Sequence, residues 1–122
     1  MQTTYFRIDS PEEIIKILNE FNSNISKEID CSFIMIAQDY ETIVAYTEVI
    51  NCSSRFSLMK SFKIRNDYQN VGIEHKLLNY LVWELQQDNI SFLSIPNVMS
   101  NPDLKWIKDF KIDTSGFIIA VM

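Results

Sequence analysis

A single α/β or α+β domain, with a mixed sheet flanked by helices, is what this sequence predicts. Three observations carry the prediction. Strand-like and helical runs follow one another in the order β-α-β-β-β-α-β-α-β, without linker, repeat or low-complexity stretch. Two segments carry apolar residues at helical spacing. The chain has 122 residues, 47% hydrophobic and 22% charged, which is enough to bury one core and too apolar for disorder.

The elements follow in order. Residues 3–8 read as a strand, with Tyr5, Phe6 and Ile8 supplying β-propensity. Ser10-Pro11-Glu12-Glu13 is a helix start: Ser10 as N-cap, Pro11 in the first turn, Glu13 placed for a capping box. Ile14, Ile17, Leu18 and Phe21 then form its core stripe, and Asn22-Ser23-Asn24 ends it. Residues 25–30 read as a short extra turn or loop. Strands are expected over 31–38 and 42–50, joined by a hairpin at Asp39-Tyr40-Glu41, and over 55–64.

A polar loop, 65–71, leads to a helix over 72–87, whose stripe is Ile73, Leu77, Leu78, Leu81, Val82 and Leu85. Residues 91–95 form a short strand ended by Pro96. Asn101-Pro102-Asp103 starts a last helix running to about Phe110. Asp113-Thr114-Ser115-Gly116 is a turn before a final strand over 117–122.

Composition excludes several function classes. A net charge of −5 makes nucleic acid an unsuitable partner, because phosphate backbones select basic faces. The longest apolar runs are strand-length, too short to span a membrane. The opening residues have neither a basic nor an apolar leader region, so a cytoplasmic protein is expected. Cys31 and Cys52 lack metal-ligand spacing and His75 is the single histidine, so no zinc site is expected; two free thiols near strands are.

The junction Gln69-Asn70-Val71-Gly72-Ile73-Glu74 carries the functional signal. The chain has two glycines, and one of them stands here, between a strand ending at Ile64 and an amphipathic helix. Glycine permits close backbone approach, and a helix N-terminus directs unpaired N–H groups outward. Together they make an anion cradle suited to phosphates.

With Ile64, Gln69 and Gly72 at these spacings, the whole chain resembles the GNAT family, the Gcn5-related N-acetyltransferases, as a divergent member. The family motif runs from a strand-end aliphatic, through an Arg or Gln five residues on, to x-x-Gly-x-Gly/Ala. Glu74 occupies the second small-residue position. Residues 42–45 resemble the strand after the family's hairpin, with Ala45 in place of glycine. Asn101 and the segment 106–112 resemble a later family helix, although Ile107 stands where a tyrosine is frequent and Lys111-Ile112 replace Gly-Phe.

The resemblance implies a GNAT-like acyl-CoA N-acyltransferase fold, in which the fourth and fifth strands splay and acetyl-CoA lies between them as cosubstrate. It implies pantetheine beside Phe62 and Ile64, and pyrophosphate on Gln69, Asn70, Val71, Gly72, Ile73 and Glu74, with Asn101 as a further contact. The activity implied is transfer of an acetyl group to an amine of a small molecule or protein, without a metal. The alternative is a catalytically inactive GNAT-like binding or regulatory module; a third reading is a CoA-independent α/β protein sharing only the element order.

Glu74 bears on the choice, since its charge suits the helix dipole but repels a pyrophosphate. Catalytic groups are unknown from sequence. The fourth strand has no acidic residue; Glu48, one strand earlier, is the nearest carboxylate, and a solvated strand glutamate is its ordinary reading. Tyr46, Tyr68 and Tyr80 lie elsewhere, His75 reads as solvated, and Trp83 and Trp106 read as core or helix-packing residues. An exposed last strand would allow a homodimer.

Overall fold

The structure is a computed structural model that describes residues 3–21, 30–69, 71–96, 110–113 and 116–121. Its strands are β1 (Thr3–Ile8), β2 (Phe33–Asp39), β3 (Thr42–Asn51), β4 (Phe56–Ile64), β5 (Phe92–Pro96), β6 (Phe110–Asp113) and β7 (Gly116–Ala120). Its helices are α1 (Pro11–Phe21) and α2 (Ile73–Gln87), with a 3-10 turn at Asn66–Tyr68. One seven-stranded sheet has the order β1-β2-β3-β4-β5-β7-β6.

Strands β1 to β4 are successive antiparallel neighbours; β2–β3 and β3–β4 are joined by short connections, whereas α1 lies between β1 and β2. From β4 to β5 the pairing is parallel, and α2 supplies the long connection that a parallel pair needs. Each helix covers one face of the sheet. Ile14, Ile17 and Leu18 of α1 pack with Ile34, Ile36 and Tyr46. Ile73, Leu77, Leu78, Leu81 and Leu85 of α2 pack with Phe33, Met35, Ala37, Val49 and Met59. Strand β2 therefore sends alternate residues to opposite faces and is buried on both, which is why it reads as a continuous apolar run.

The first helix begins where its sequence signal places it, with the Ile14 N–H bonded to the Ser10 carbonyl at 2.9 Å. The β2–β3 hairpin is tighter than a three-residue turn. Asp39 pairs with Thr42, leaving Tyr40-Glu41 as the loop, with Tyr40 at φ 55°. Among the described residues, the C-terminal part departs most from expectation. Phe110 belongs to strand β6, not to the end of a helix, because Phe110–Asp113 pairs residue for residue with β7. The last strand is also no edge: β7 lies between β5 and β6, so pairing of an exposed last strand with a second copy loses its premise.

Residues 22–29, the helix expected from Asn101 with Trp106 and Ile107, and Thr114-Ser115 lie outside the described residues. No described helix is long and apolar enough to cross a membrane.

Candidate functional site

The site is built where β4 and β5 part. Their parallel pairing covers Phe56 with Phe92, Ser57 with Leu93 and Leu58 with Ser94. Beyond Leu58, β4 runs on to Ile64, while β5 stays paired with β7 through Pro96. The parting has a local cause. Against β3, Glu48 pairs with Ser61 and Val49 with Met59, so Lys60 is an extra residue, a β-bulge. A bulge bends its strand and increases the twist, which carries β4 away from β5. The buried Thr47 hydroxyl fastens the bent segment by donating to the Ser61 carbonyl at 2.7 Å.

Phe62 and Ile64 follow on this free stretch, half-buried and packed towards the α2 core. Their backbone lies on the side of β4 from which β5 has withdrawn. This is a sheet edge inside the molecule, able to pair with an extended ligand.

From Ile64 the chain turns through the 3-10 turn to Gln69, and α2 starts after Gly72. Two side chains hold this loop: Arg65, which the sequence reading did not single out, and Tyr68, to which it gave no part here. Arg65 donates from Nε to the Ile43 carbonyl at 2.8 Å and lies 4.5 Å over the Phe21 ring. Tyr68 donates its hydroxyl to Asp39 Oδ2 at 3.0 Å, and that bond raises the Tyr68 pKa. The loop is thus moored to the β2–β3 hairpin. Only the presence of an aromatic and an arginine in a polar loop could have signalled it.

Gly72 has φ 87° and ψ 8°, in the left-handed region that L side chains avoid. A Cβ there would meet nothing within 4 Å, so backbone conformation and not crowding selects glycine. The space outside it is open. No side chain caps α2, and its first bond of this start runs from Lys76 N–H to the Gly72 carbonyl at 3.2 Å.

Of the residues expected to bind cofactor, Phe62, Ile64, Gln69, Val71, Gly72, Ile73 and Glu74 lie along one path from the open edge of β4 to the start of α2. Gln69 and Val71 are exposed. Ile73 is buried at 1% exposure, so its side chain belongs to the core and only its backbone faces the site. Glu74 is half-buried in the first turn of α2. Asn70 and Asn101 lie outside the described residues.

The tyrosines have other engagements: Tyr46 meets Phe21 edge-on under α1, and Tyr80 stacks on Tyr5 at 4.8 Å. His75 is exposed as expected, whereas Trp83 is not a packing residue, with 54% of its surface exposed. Cys31 and Cys52 are free thiols flanking strands. Among the described residues no group of His, Cys, Asp and Glu could hold a metal ion.

Glu48 also departs from its ordinary reading. Its side chain is 13% exposed, and Oε2 accepts from the Ser61 hydroxyl at 2.8 Å, with Lys60 Nζ 3.8 Å away. A cavity of about 420 Å³ lies away from the loop, between β1 and α2, lined by Tyr5, Arg7, Tyr80, Trp83 and neighbours.

The fold that holds this site is shared with solved structures along nearly the whole chain. The chain has the GNAT acyl-CoA N-acyltransferase fold. It is similar to the IAA acetyltransferase from Bacillus cereus, at TM-score 0.72 and 15% identity over 98% of this chain and 97% of that one. It is similar to YhhK from E. coli, solved with coenzyme A bound, at TM-score 0.70 and 16% identity over 98% and 99%. The N-acetylglutamate synthase from Neisseria gonorrhoeae, complexed with coenzyme A and N-acetylglutamate, matches at TM-score 0.67 and 12% identity over 100% of this chain and 36% of that one. No protein-family model and no curated protein sequence matches the chain. The GNAT fold is therefore carried here by packing and topology, with little sequence in common.

Proposed function

We propose that this chain is an acyl-CoA-dependent N-acetyltransferase that moves an acetyl group from acetyl-CoA to an amine. The observation that carries the reading is the parting of β4 from β5 at the bulge, in line with the glycine that opens α2. The coenzyme A found in structural neighbours such as YhhK supports the same ligand class.

The residues present fit such a ligand. Backbone groups around Phe62 and Ile64 would pair with the pantetheine arm. The loop of Gln69, Asn70, Val71 and Gly72, followed by the start of α2 at Ile73 and Glu74, would receive the pyrophosphate through backbone N–H groups and the helix dipole. Open space outside Gly72 admits a phosphate group close to the backbone. Glu74 sets the limit on affinity, since a carboxylate in this first turn opposes a bound anion.

The acyl donor supplies an activated thioester. The protein's part is to hold that carbonyl beside β4 and to bring an amine into line with it, an orientation effect. A backbone N–H of the free β4 edge is the group placed to polarise the carbonyl oxygen.

Calorimetric titration with acetyl-CoA tests the reading. Saturating ligand should also raise unfolding stability, by about 2.7 kcal/mol at 100 times its dissociation constant. Absence of heat and of any melting shift at millimolar acetyl-CoA would reject it.

A further inference from the structure

One corner of the sheet carries chemistry that the cofactor loop does not use. Glu48 on β3 stands directly opposite Ser61 on β4, and the Ser61 hydroxyl donates to Glu48 Oε2 at 2.8 Å. Lys60 Nζ lies 3.8 Å from the same oxygen and 3.1 Å from Asp30 Oδ2. Strand alternation from Tyr46 puts Glu48 on the face covered by α1, whereas Phe62 and Ile64 pack towards α2. The bulge at Lys60 places the Glu48–Ser61 pair past Leu58, the last β4 residue joined to β5. Ser61 therefore borders the gap on the face away from the cofactor helix, with Glu48 behind it on β3.

An alkylamine has a pKa of about 10.4, so at neutral pH it is an ammonium ion without a lone pair to attack a thioester. A proton acceptor beside β4 would remove that obstacle. The groups around this corner narrow the choice. Burial, and then the charge of Glu48, push the Tyr46 hydroxyl up to about 12 and the Cys31 thiol up to about 11. Both keep their protons at neutral pH. Lys60 is cationic, Asp30 is 79% exposed and engaged by Lys60, and α1 presents the apolar Ile14, Ile17, Leu18 and Phe21. Among the described residues, the carboxylate that accepts from the Ser61 hydroxyl is that of Glu48.

We propose that Glu48, with Ser61 as a hydroxyl relay, is the general base that deprotonates an alkylammonium acceptor approaching β4 from the α1 face. This rests on the acetyltransferase reading above. An ammonium N–H bond breaks, its proton passes to Ser61 Oγ, and the Ser61 proton passes to Glu48 Oε2. The freed lone pair forms the N–C bond to the thioester carbon, and the C–S bond breaks. The second nitrogen proton goes to the departing thiolate, and Glu48 returns its proton to solvent. The sum is ammonium plus acetyl-CoA giving amide, CoA thiol and one proton.

The test compares two acceptors, n-butylamine, protonated at pH 7, and aniline, neutral at pH 7, with thiol release from acetyl-CoA as the readout. In Glu48→Gln the ratio of kcat/KM for butylamine to that for aniline should fall ~100-fold, at the lower end of general acid–base contributions. That deficit should shrink as pH rises towards the amine's own pKa. Glu48→Asp should restore part of the ratio, and Ser61→Ala, a smaller change in the same path, should lower it if Glu48→Gln does not fold. An equal loss with both amines, or no loss with either, overturns the assignment. Wild-type protein that binds acetyl-CoA in calorimetry yet acetylates neither amine overturns the base and leaves the cofactor site standing. Failure of wild-type protein to bind acetyl-CoA removes both.

Discussion

The two ends of α2 are built in opposite ways. At the C-terminal end, Arg7 of β1 donates to Asp88 at 2.6 Å, lies 3.5 Å from Glu84 and sets its guanidinium 4.0 Å over the Phe33 ring. Gln86 donates to the Val121 carbonyl at 2.6 Å, tying the helix to the chain after β7. At the N-terminal end, Gly72 is left-handed, no side chain caps the helix, and Val71 is 50% exposed. A capping side chain typically contributes about 1 kcal/mol, so its omission is a measurable concession. One end fixes the helix in the fold; the other is left without a side-chain cap.

Substitutions can break or sharpen that contrast. The largest effect belongs to Leu81, fully buried midway along α2, where both ends depend on the packing. Leu81→Ala should cost about 2–5 kcal/mol in urea unfolding and weaken any ligand binding with it. Arg7→Ala should cost about 1–3 kcal/mol, because its charge-assisted bonds and its stack over Phe33 are partly buried, and leave acetyl-CoA affinity unchanged in calorimetry.

At the other end, Gly72→Ala should lower stability by about 1 kcal/mol through backbone strain alone, since its Cβ meets no neighbour. Gly72→Asn should lose less, because asparagine tolerates the left-handed region. The smallest effect is the most diagnostic. Glu74→Gln should cost a few tenths of a kcal/mol in stability by weakening the dipole interaction, while raising acetyl-CoA affinity. A melting temperature and a Kd that both fall would show that this end serves a ligand; a lower melting temperature with Kd unchanged or raised would show that it serves only the helix.

Much of this was legible because it is local. Gly72 and its distances from Ile64 and Gln69, the stripe from Ile73 to Leu85, and the start at Ser10-Pro11 are patterns within one or two turns of chain. What was hidden depends on which distant residues meet. Nothing local joins Tyr68 to Asp39, which meet across the loop after β4, or tells that Glu48 faces Ser61, which follows from strand register. Trp83 was misread because tryptophan usually packs, yet Tyr80 and Trp83 fall off the α2 stripe and are half exposed. Phe110–Asp113 is too short for its alternation to outweigh a helix signal begun at Pro102, and pairing with β7 decides its conformation.

The bulge at Lys60 has one more consequence, which concerns reading frame. Met59 faces the α2 core, and in an unbroken pleat Ser61 and Lys63 would follow it there. The extra residue shifts the count by one, so Phe62 and Ile64 follow instead and Ser61 turns to Glu48. Deleting Lys60 would therefore remove the bend yet leave Ser61 towards Glu48 and Phe62 and Ile64 towards α2, separating the parting of β4 from the lining of the gap. The interval of three between Met59 and Phe62, odd where a plain strand needs an even number, is a mark of this gap that can be counted in any related sequence.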